Sequence, residues 1–391
     1  MRIGFFSWET KNSISVGGVA AVVTELAEAL AGLGHEVHVF TRIGENQPEH
    51  EEINGVHEHR VITPGMEDFI EYMDHMGDSI VSCYHWVREE YGEFDVLHGH
   101  DWHIVNALAN IKHNTGFRNI VWSAHSTEFG RNGNNFAHNW WSGRIRHREW
   151  LGGYIAGRVT TVSRTMKKEV SREYQVPEEK ISVIYNGINV EKFKGKVDAG
   201  KVKKKIGIHP FAPLILFLGR VAYQKGPDLL VEAIPKVLKE NWDAKFVYAG
   251  TGDMLEHIKG RSMYLGVQDS VRVLGYVSNQ DRWNLFHAAD IVCIPSRNEP
   301  FGIITLESWA CGTPVVACDT GGPSEIIDNF RTGVKVYQTP DSIAWGLNYM
   351  LGDKTGEALK RMGAECEREA EKYDWHKLAQ QYLKVYESLL S

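Results

Sequence analysis

The chain has 391 residues, of which 43% are hydrophobic and 24% charged, with a formal net charge of −7. That length is generous for one core and comfortable for two α/β domains, and the composition is that of a globular protein rather than a disordered or fibrous one. The acidic balance argues against a nucleic-acid binder and against broad attraction to anionic lipid, while a local basic patch leaves room for peripheral membrane contact.

Five cysteines, Cys83, Cys293, Cys311, Cys318 and Cys366, are odd in number and scattered, and no CxxC pair occurs. The spacing indicates neither a disulfide framework nor a zinc motif, so buried thiols in a reducing compartment are expected. The run Met1-Arg2-Ile3-Gly4-Phe5-Phe6 reads as a strand and is too short for a signal peptide. No stretch approaches the roughly 20 apolar residues needed to cross a bilayer. A cytoplasmic location is the expectation.

In chain order, short apolar runs alternate with longer amphipathic ones, as βαβ units and a parallel sheet require. Strands are expected at Ile3–Ser7, Glu36–Thr41, Val96–His100, Asn119–Ala124, Arg158–Val162 and Ile181–Tyr185, with helices clearest at Val19–Leu33 and Arg164–Tyr174. Lys192–Lys205 is rich in lysine and glycine, lacks an apolar period, and reads as a linker or exposed hinge. The rhythm then repeats, with strands at Leu214–Leu218, Lys245–Ala249, Val271–Leu274, Ile291–Ile294, Pro314–Ala317 and Gly333–Val336. Helices fall near Gly226–Glu240, Met254–Leu265, Gln280–His287, Ile303–Cys311 and Ser342–Leu351, and a last amphipathic helix covers Trp375–Leu390. The reading is α/β, two Rossmann-like domains with parallel sheets facing a cleft. The first covers 1–190 with the C-terminal helix 374–391, and the second covers 191–373.

Ligands of open α/β sheets sit beyond the carboxyl ends of strands, and the unusual residues gather there. After the strand at Ile291–Ile294 comes Pro295-Ser296-Arg297-Asn298-Glu299-Pro300-Phe301-Gly302-Ile303-Ile304-Thr305-Leu306-Glu307. A loop presents Glu299, a helix starts near Gly302, and its free N–H groups form an anion site with Glu307 in the early turns. Carboxylates that only complement the helix dipole are the alternative. Arg220 and Lys225 lie on the loop after Leu214–Leu218, where two cations around a tight turn suit a diphosphate. Gly17 and Gly18 open the first long helix, where backbone can approach a phosphate.

These segments resemble the glycosyltransferases of family 4 and the neighbouring bacterial and archaeal glycogen synthases. The matching motifs include Val16-Gly17-Gly18-Val19-Ala20, His98-Gly99-His100-Asp101-Trp102-His103, Ser123-Ala124-His125-Ser126-Thr127 and Val183-Ile184-Tyr185-Asn186-Gly187-Ile188. They continue through Gly219-Arg220 to Lys225-Gly226, Glu299 to Glu307, and Gly321-Gly322-Pro323-Ser324-Glu325. The resemblance implies the GT-B architecture, in which the last helix returns to the N-terminal domain. It implies a retaining transfer of a hexosyl group, with a lean toward glucosyl, from a nucleotide-diphosphate sugar to a sugar or glycan hydroxyl. It implies that Arg220 and Lys225 hold the diphosphate, Glu307 the ribose and Glu299 the donor sugar. His125 would sit beneath that sugar, and Gly18 would approach the phosphates from the opposite domain. Backbone around Phe301, Gly302, Ile303 and Ile304 would add phosphate contacts. Ile304 stands where many glycogen synthases carry a hydroxyl residue, and Thr305 follows it.

No Asp-x-Asp triplet occurs, so transfer without a metal or other cofactor is expected. His98, His100, Asp101 and His103 could suggest metal ligation, but a hydrogen-bonding acceptor wall involving His100 and Asp101 is the preferred reading, with Asp101 as an N-cap the simpler one. The tract 128–154 holds Arg131, His138, Trp140, Trp141, Arg144, Arg148 and Trp150. It reads as an acceptor pocket with Trp140 and Arg144, as an amphipathic helix with solvated arginines and core tryptophans, or as a membrane-surface helix. A dehydrogenase lacks support because no GxGxxG occurs. A nucleotide-sugar 2-epimerase, a pyridoxal-phosphate phosphorylase and a non-catalytic nucleotide-sugar binder share the two-domain plan.

Overall fold

Strands that read as continuous apolar runs need cover on both faces, and helices on either side of a parallel sheet provide it. The computed structural model describes residues 1–137, 139–353 and 355–390, so His138 of the aromatic tract lies outside the described residues. Two units result, one of Met1–Gly187 with Trp375–Ser391 and one of Ile188–Asp374.

The first unit contains β1 (Arg2–Phe6), β2 (Glu36–Arg42), β3 (His50–Ile53), β4 (Val56–Val61), β5 (Val96–His100), β6 (Ile120–Ala124), β7 (Arg158–Thr161) and β8 (Ile181–Val183). Their order is β3-β4-β2-β1-β5-β6-β7-β8, with β3 antiparallel to β4 and the other pairs parallel. Ile3, Phe5, Val96, Leu97, Ile120 and Val121 are fully buried at its centre. Burying each such side chain contributes about 1.5–3 kcal/mol. The hairpin β3–β4 was not expected from the strand pattern. It turns on Asn54 and Gly55, both at positive φ (53° and 78°), the two-residue turn whose twist matches paired strands. Helix Phe69–Tyr91 is a second addition, started by the Asp68 carboxylate accepting from the N–H groups of Ile70 and Glu71.

Helix Trp375–Leu390 belongs to this first unit and packs on helix Gly18–Gly32. Trp375 Nε1 donates to Glu25 Oε2 at 2.7 Å, and the Tyr386 hydroxyl lies 2.8 Å from His98 Nδ1. His98, whose other ring nitrogen meets Ser123 Oγ at 2.6 Å, is thus a tie between strand and helix.

The second unit contains β9 (Leu214–Leu218), β10 (Lys245–Ala249), β11 (Val271–Gly275), β12 (Ile291–Ile294), β13 (Val315–Cys318) and β14 (Gly333–Val336). The sheet is parallel throughout, in the order β11-β10-β9-β12-β13-β14. The expected linker is partly structured. Residues Val190–Phe193 form a 3-10 turn and Ala199–Lys205 a helix, capped by the Asp198 carboxylate on Lys201 N–H. Lys203 is buried, its Nζ donating at 2.9 Å to both Ala212 O and Asp290 Oδ2. A lysine that anchors a helix carries no apolar period, so hydropathy alone reads it as solvated.

Candidate functional site

Each sheet has one place where chain order reverses, and loops on either side of that point diverge to leave a crevice. In the second unit the chain moves outward from β9 through β10 to β11, then returns to β12 beside β9. The loops after β9 and β12 carry Arg220, Lys225 and Glu299, so those residues share one switch point.

The two loops are bolted together. Lys225 Nζ donates to both carboxylate oxygens of Glu299 at 2.8 Å, and Ser296 Oγ donates to the same carboxylate at 2.8 Å. Arg297 N–H donates to Gln224 O at 2.8 Å, while its guanidinium pairs with Asp228 and lies over the Tyr223 ring. Gly226, at φ 65°, closes the turn; a Cβ there would stand 2.1 Å from Pro295 O, so only glycine permits the approach. Arg220 is exposed, with Nη2 donating to Gln224 Oε1 at 2.9 Å. Gly321-Gly322 supports the same loop from β13. Gly322 N–H donates to Glu299 O at 3.0 Å, and a Cβ on Gly321 would reach within 1.8 Å of that carbonyl.

Beyond Glu299 the helix Ile303–Ala310 starts after Gly302 at φ 82°, without a side-chain cap. Thr305 N–H donates to Gly302 O at 2.8 Å, and the N–H groups of Ile303 and Ile304 face water or a ligand. The Phe301 side chain is buried, so only its backbone can serve a ligand, while Ile303 and Ile304 are half-buried. The buried Thr305 hydroxyl has no hydrogen-bond partner among the described residues. Glu307 is buried and pairs with Arg282, a residue sequence reading did not single out. Arg282 lies on helix Asn279–Ala288, 25 positions earlier, and no local pattern links the two.

In the first unit the reversal lies between β1 and β5. His100 ends β5 and His125 follows β6; His100 Nδ1 lies 3.0 Å from His125 Nε2 with the rings stacked. The remaining nitrogens, His100 Nε2 and His125 Nδ1, are buried without partners among the described residues. Burial lowers the pKa of both rings, so the pair is uncharged near neutrality. Asp101 is at φ 58° and ψ −170°, a region nearly reserved for glycine. Its carboxylate accepts from the N–H groups of His125 (2.8 Å) and Ser126 (3.2 Å) and makes no side-chain cap, correcting the N-cap reading. Glu9, which also escaped sequence reading, is buried and accepts from the N–H groups of Val16 (2.6 Å) and Gly17 (2.7 Å). Gly18 begins the helix, whereas the amide of Gly17 is already engaged.

Two family descriptions divide the chain: Glycosyltransferase Family 4 matches residues 16–192 and Glycosyl transferases group 1 matches residues 198–369. An uncharacterized glycosyltransferase of Methanocaldococcus jannaschii is 38% identical over 390 residues, covering 99% of this chain and 98% of that protein. The chain belongs to the family 4 glycosyltransferases. A glycogen synthase of Mycobacterium tuberculosis is 27% identical, covering 99% of this chain and 94% of that protein. The solved sucrose-phosphate synthase of Thermosynechococcus elongatus superposes with a TM-score of 0.80 at 21% identity, covering 100% and 99% of the two chains, and shares the GT-B fold.

The aromatic tract of this glycosyltransferase reverses one expectation. Helix Trp140–Ile155 exposes Trp140, Trp141 and Trp150, whereas Arg148 is buried against Asp74 at 2.6 Å. Core tryptophans with solvated arginines are therefore excluded. The cause is a polar network beneath the helix: Glu149, fully buried, pairs with Arg131 at 2.7 Å and accepts from the Tyr174 hydroxyl at 2.5 Å. Arg144 pairs with Asp74 at 3.4 Å and lies 5.4 Å from the Trp140 ring. A separate cavity of about 420 Å³ beside β13 and β14, lined by Asp319, Lys335, Tyr337 and Trp345 among others, contains none of the switch-point residues. Among the described residues no helix is long and apolar enough to cross a membrane.

Proposed function

We propose that this glycosyltransferase transfers a hexosyl group from a nucleotide-diphosphate sugar to a sugar or glycan hydroxyl, with retention and without a metal in the reaction. One arrangement carries the reading: two cations, a buried carboxylate and an uncapped helix start share the switch point of the second unit. The bond from the anomeric carbon to the diphosphate breaks, a bond to the acceptor oxygen forms, and the acceptor proton leaves with the diphosphate. Arg220, Lys225 and the N–H groups at Ile303 and Ile304 stabilise the charge that develops on the leaving group. Glu299 receives donor-sugar hydroxyls and Glu307, steadied by Arg282, receives the ribose. The uncharged His125 offers Nδ1 to the sugar. Retention and a lean toward a glucosyl group rest on the family resemblance. The five free thiols suit a reducing, cytoplasmic setting.

A panel of nucleotide sugars, assayed for nucleoside diphosphate release with and without chelator, tests the reading. A product carrying the sugar on an acceptor, with release unaffected by chelator, is expected. Release without any glycosylated product, or strict dependence on added divalent metal, would sink it.

A further inference from the structure

Away from both switch points, the outer edge of the first sheet gathers histidines from three successive strands, β2, β3 and β4. His50 on β3 and His59 on β4 stand directly opposite each other in the antiparallel register, and their Nδ1 atoms are 3.0 Å apart. Cys83, from helix Phe69–Tyr91, joins them: one ring nitrogen of each histidine and the Cys83 Sγ all lie within 4.8 Å of one another. The indole of Trp86, one turn further along that helix, stacks on His50 at 4.5 Å.

The partners behind His59 decide which of its nitrogens is free. Glu36 Oε1 lies 3.0 Å from His38 Nε2, so that nitrogen carries the proton. With Nε2 of the buried His38 given to Glu36, its other ring nitrogen, Nδ1, is left to accept. His38 Nδ1 is 2.9 Å from His59 Nε2, so His59 donates there and turns an unprotonated Nδ1 toward His50 and Cys83. A carboxylate that orients an imidazole through hydrogen bonds is the usual support of a metal-ligating histidine.

We propose that His50, His59 and Cys83 bind one zinc-class divalent cation, which clamps the β3–β4 hairpin to helix Phe69–Tyr91. Two imidazoles and one thiolate match the nitrogen and sulfur preference of zinc, and water at the exposed side of His50 completes a four-coordinate shell. Bonds of about 2.0–2.3 Å place ligand atoms roughly 3.5 Å apart, so closure on the ion needs only a modest side-chain adjustment. On binding, the ion takes the thiolate and the Nδ1 lone pairs, and the displaced protons go to solvent. The cation has no part in sugar transfer.

The full-length protein, stripped with chelator, is titrated with Co(II) and then Zn(II). One equivalent of Co(II) is expected to produce a thiolate-to-cobalt charge-transfer band and strong visible bands, both erased by Zn(II). Cys83→Ser removes the charge-transfer band, and Glu36→Gln weakens binding about 10–100-fold while keeping the band at saturation. Should Cys83→Ser fail to fold, His50→Ala, altered at an exposed position, carries the test with an affinity loss of at least about tenfold. A folded wild-type protein without the band, a band that survives in Cys83→Ser, or unchanged affinity in His50→Ala overturns the site.

Discussion

Lys225 and Glu299 meet across two loops 74 residues apart, the ammonium nitrogen 2.8 Å from each carboxylate oxygen. The pair neutralises a carboxylate that is only 5% exposed, and it holds both groups at the switch point of the sheet. In the proposed function, a cation kept there by a neighbouring carboxylate would be in place before a diphosphate arrives, so little reorganisation would remain for the reacting state.

Lys225→Ala is expected to lower kcat/KM by about 10²–10³, the loss typical of one preorganised group facing a developing anion. Stability should fall as well, by about 1–3 kcal/mol, because Glu299 loses its partner. The double variant Lys225→Ala/Glu299→Gln should regain much of the stability and none of the activity. Denaturant titration beside steady-state kinetics checks both; a single variant of normal activity would refute the assignment.

Asp101 holds His125 through two backbone hydrogen bonds from an unfavourable φ of 58°. Asp101→Ala orphans two amides and should cost about 1–3 kcal/mol, whereas Asp101→Asn keeps an acceptor oxygen and should cost less. In the alanine variant kcat should fall with donor KM nearly unchanged. Equal behaviour of the two variants in stability and rate would detach Asp101 from the positioning of His125.

Burial raises the Glu149 carboxyl from 4.5 to about 7, against the opposing pull of Arg131. The folded chain therefore holds this proton more tightly than the unfolded chain. The resulting stability is fully present below pH 4.5 and is lost as pH rises to about 7. Unfolding free energies of wild type and Glu149→Gln, measured across that window, should differ by a slope amounting to at most about 3 kcal/mol. Parallel curves would show that Glu149 titrates alike in both states.

Trp140 is exposed, and Arg144 shares Asp74 with the better-placed Arg148, so neither side chain is needed to hold the helix. If they contact acceptor, Trp140→Ala and Arg144→Ala should raise acceptor KM by about threefold to tenfold, equivalent to roughly 0.5–1.5 kcal/mol each. Donor hydrolysis without acceptor should stay unchanged. Unaltered acceptor kinetics would leave the tract a structural insertion.

The central strands were legible because parallel strands covered on both faces must be apolar throughout, as Leu214–Leu218 and Ile291–Ile294 are. The hairpin His50–Ile53 and Val56–Val61 escaped the same test because histidines, glutamates and an arginine fill it, although Asn54-Gly55 was a usable turn signal. Helix Ala199–Lys205 was hidden by lysines, one of them buried against Asp290. In the tract 128–154, residue types alone could not say which side would be buried, since the ion pairs of Arg148 and Arg131 reverse the usual preference.

By itself the sequence determined the α/β rhythm, the loops on which Arg220, Lys225, Glu299 and His125 lie, and the family those motifs resemble. All of these rest on neighbours along the chain, where hydropathy period and turn chemistry act. Tertiary structure alone decided the pairings of Lys225 with Glu299, Arg282 with Glu307, His100 with His125, and Glu9 with the glycine turn. Such contacts depend on strand order, and strand order is set by how whole sheets bury their faces rather than by any local run of residues.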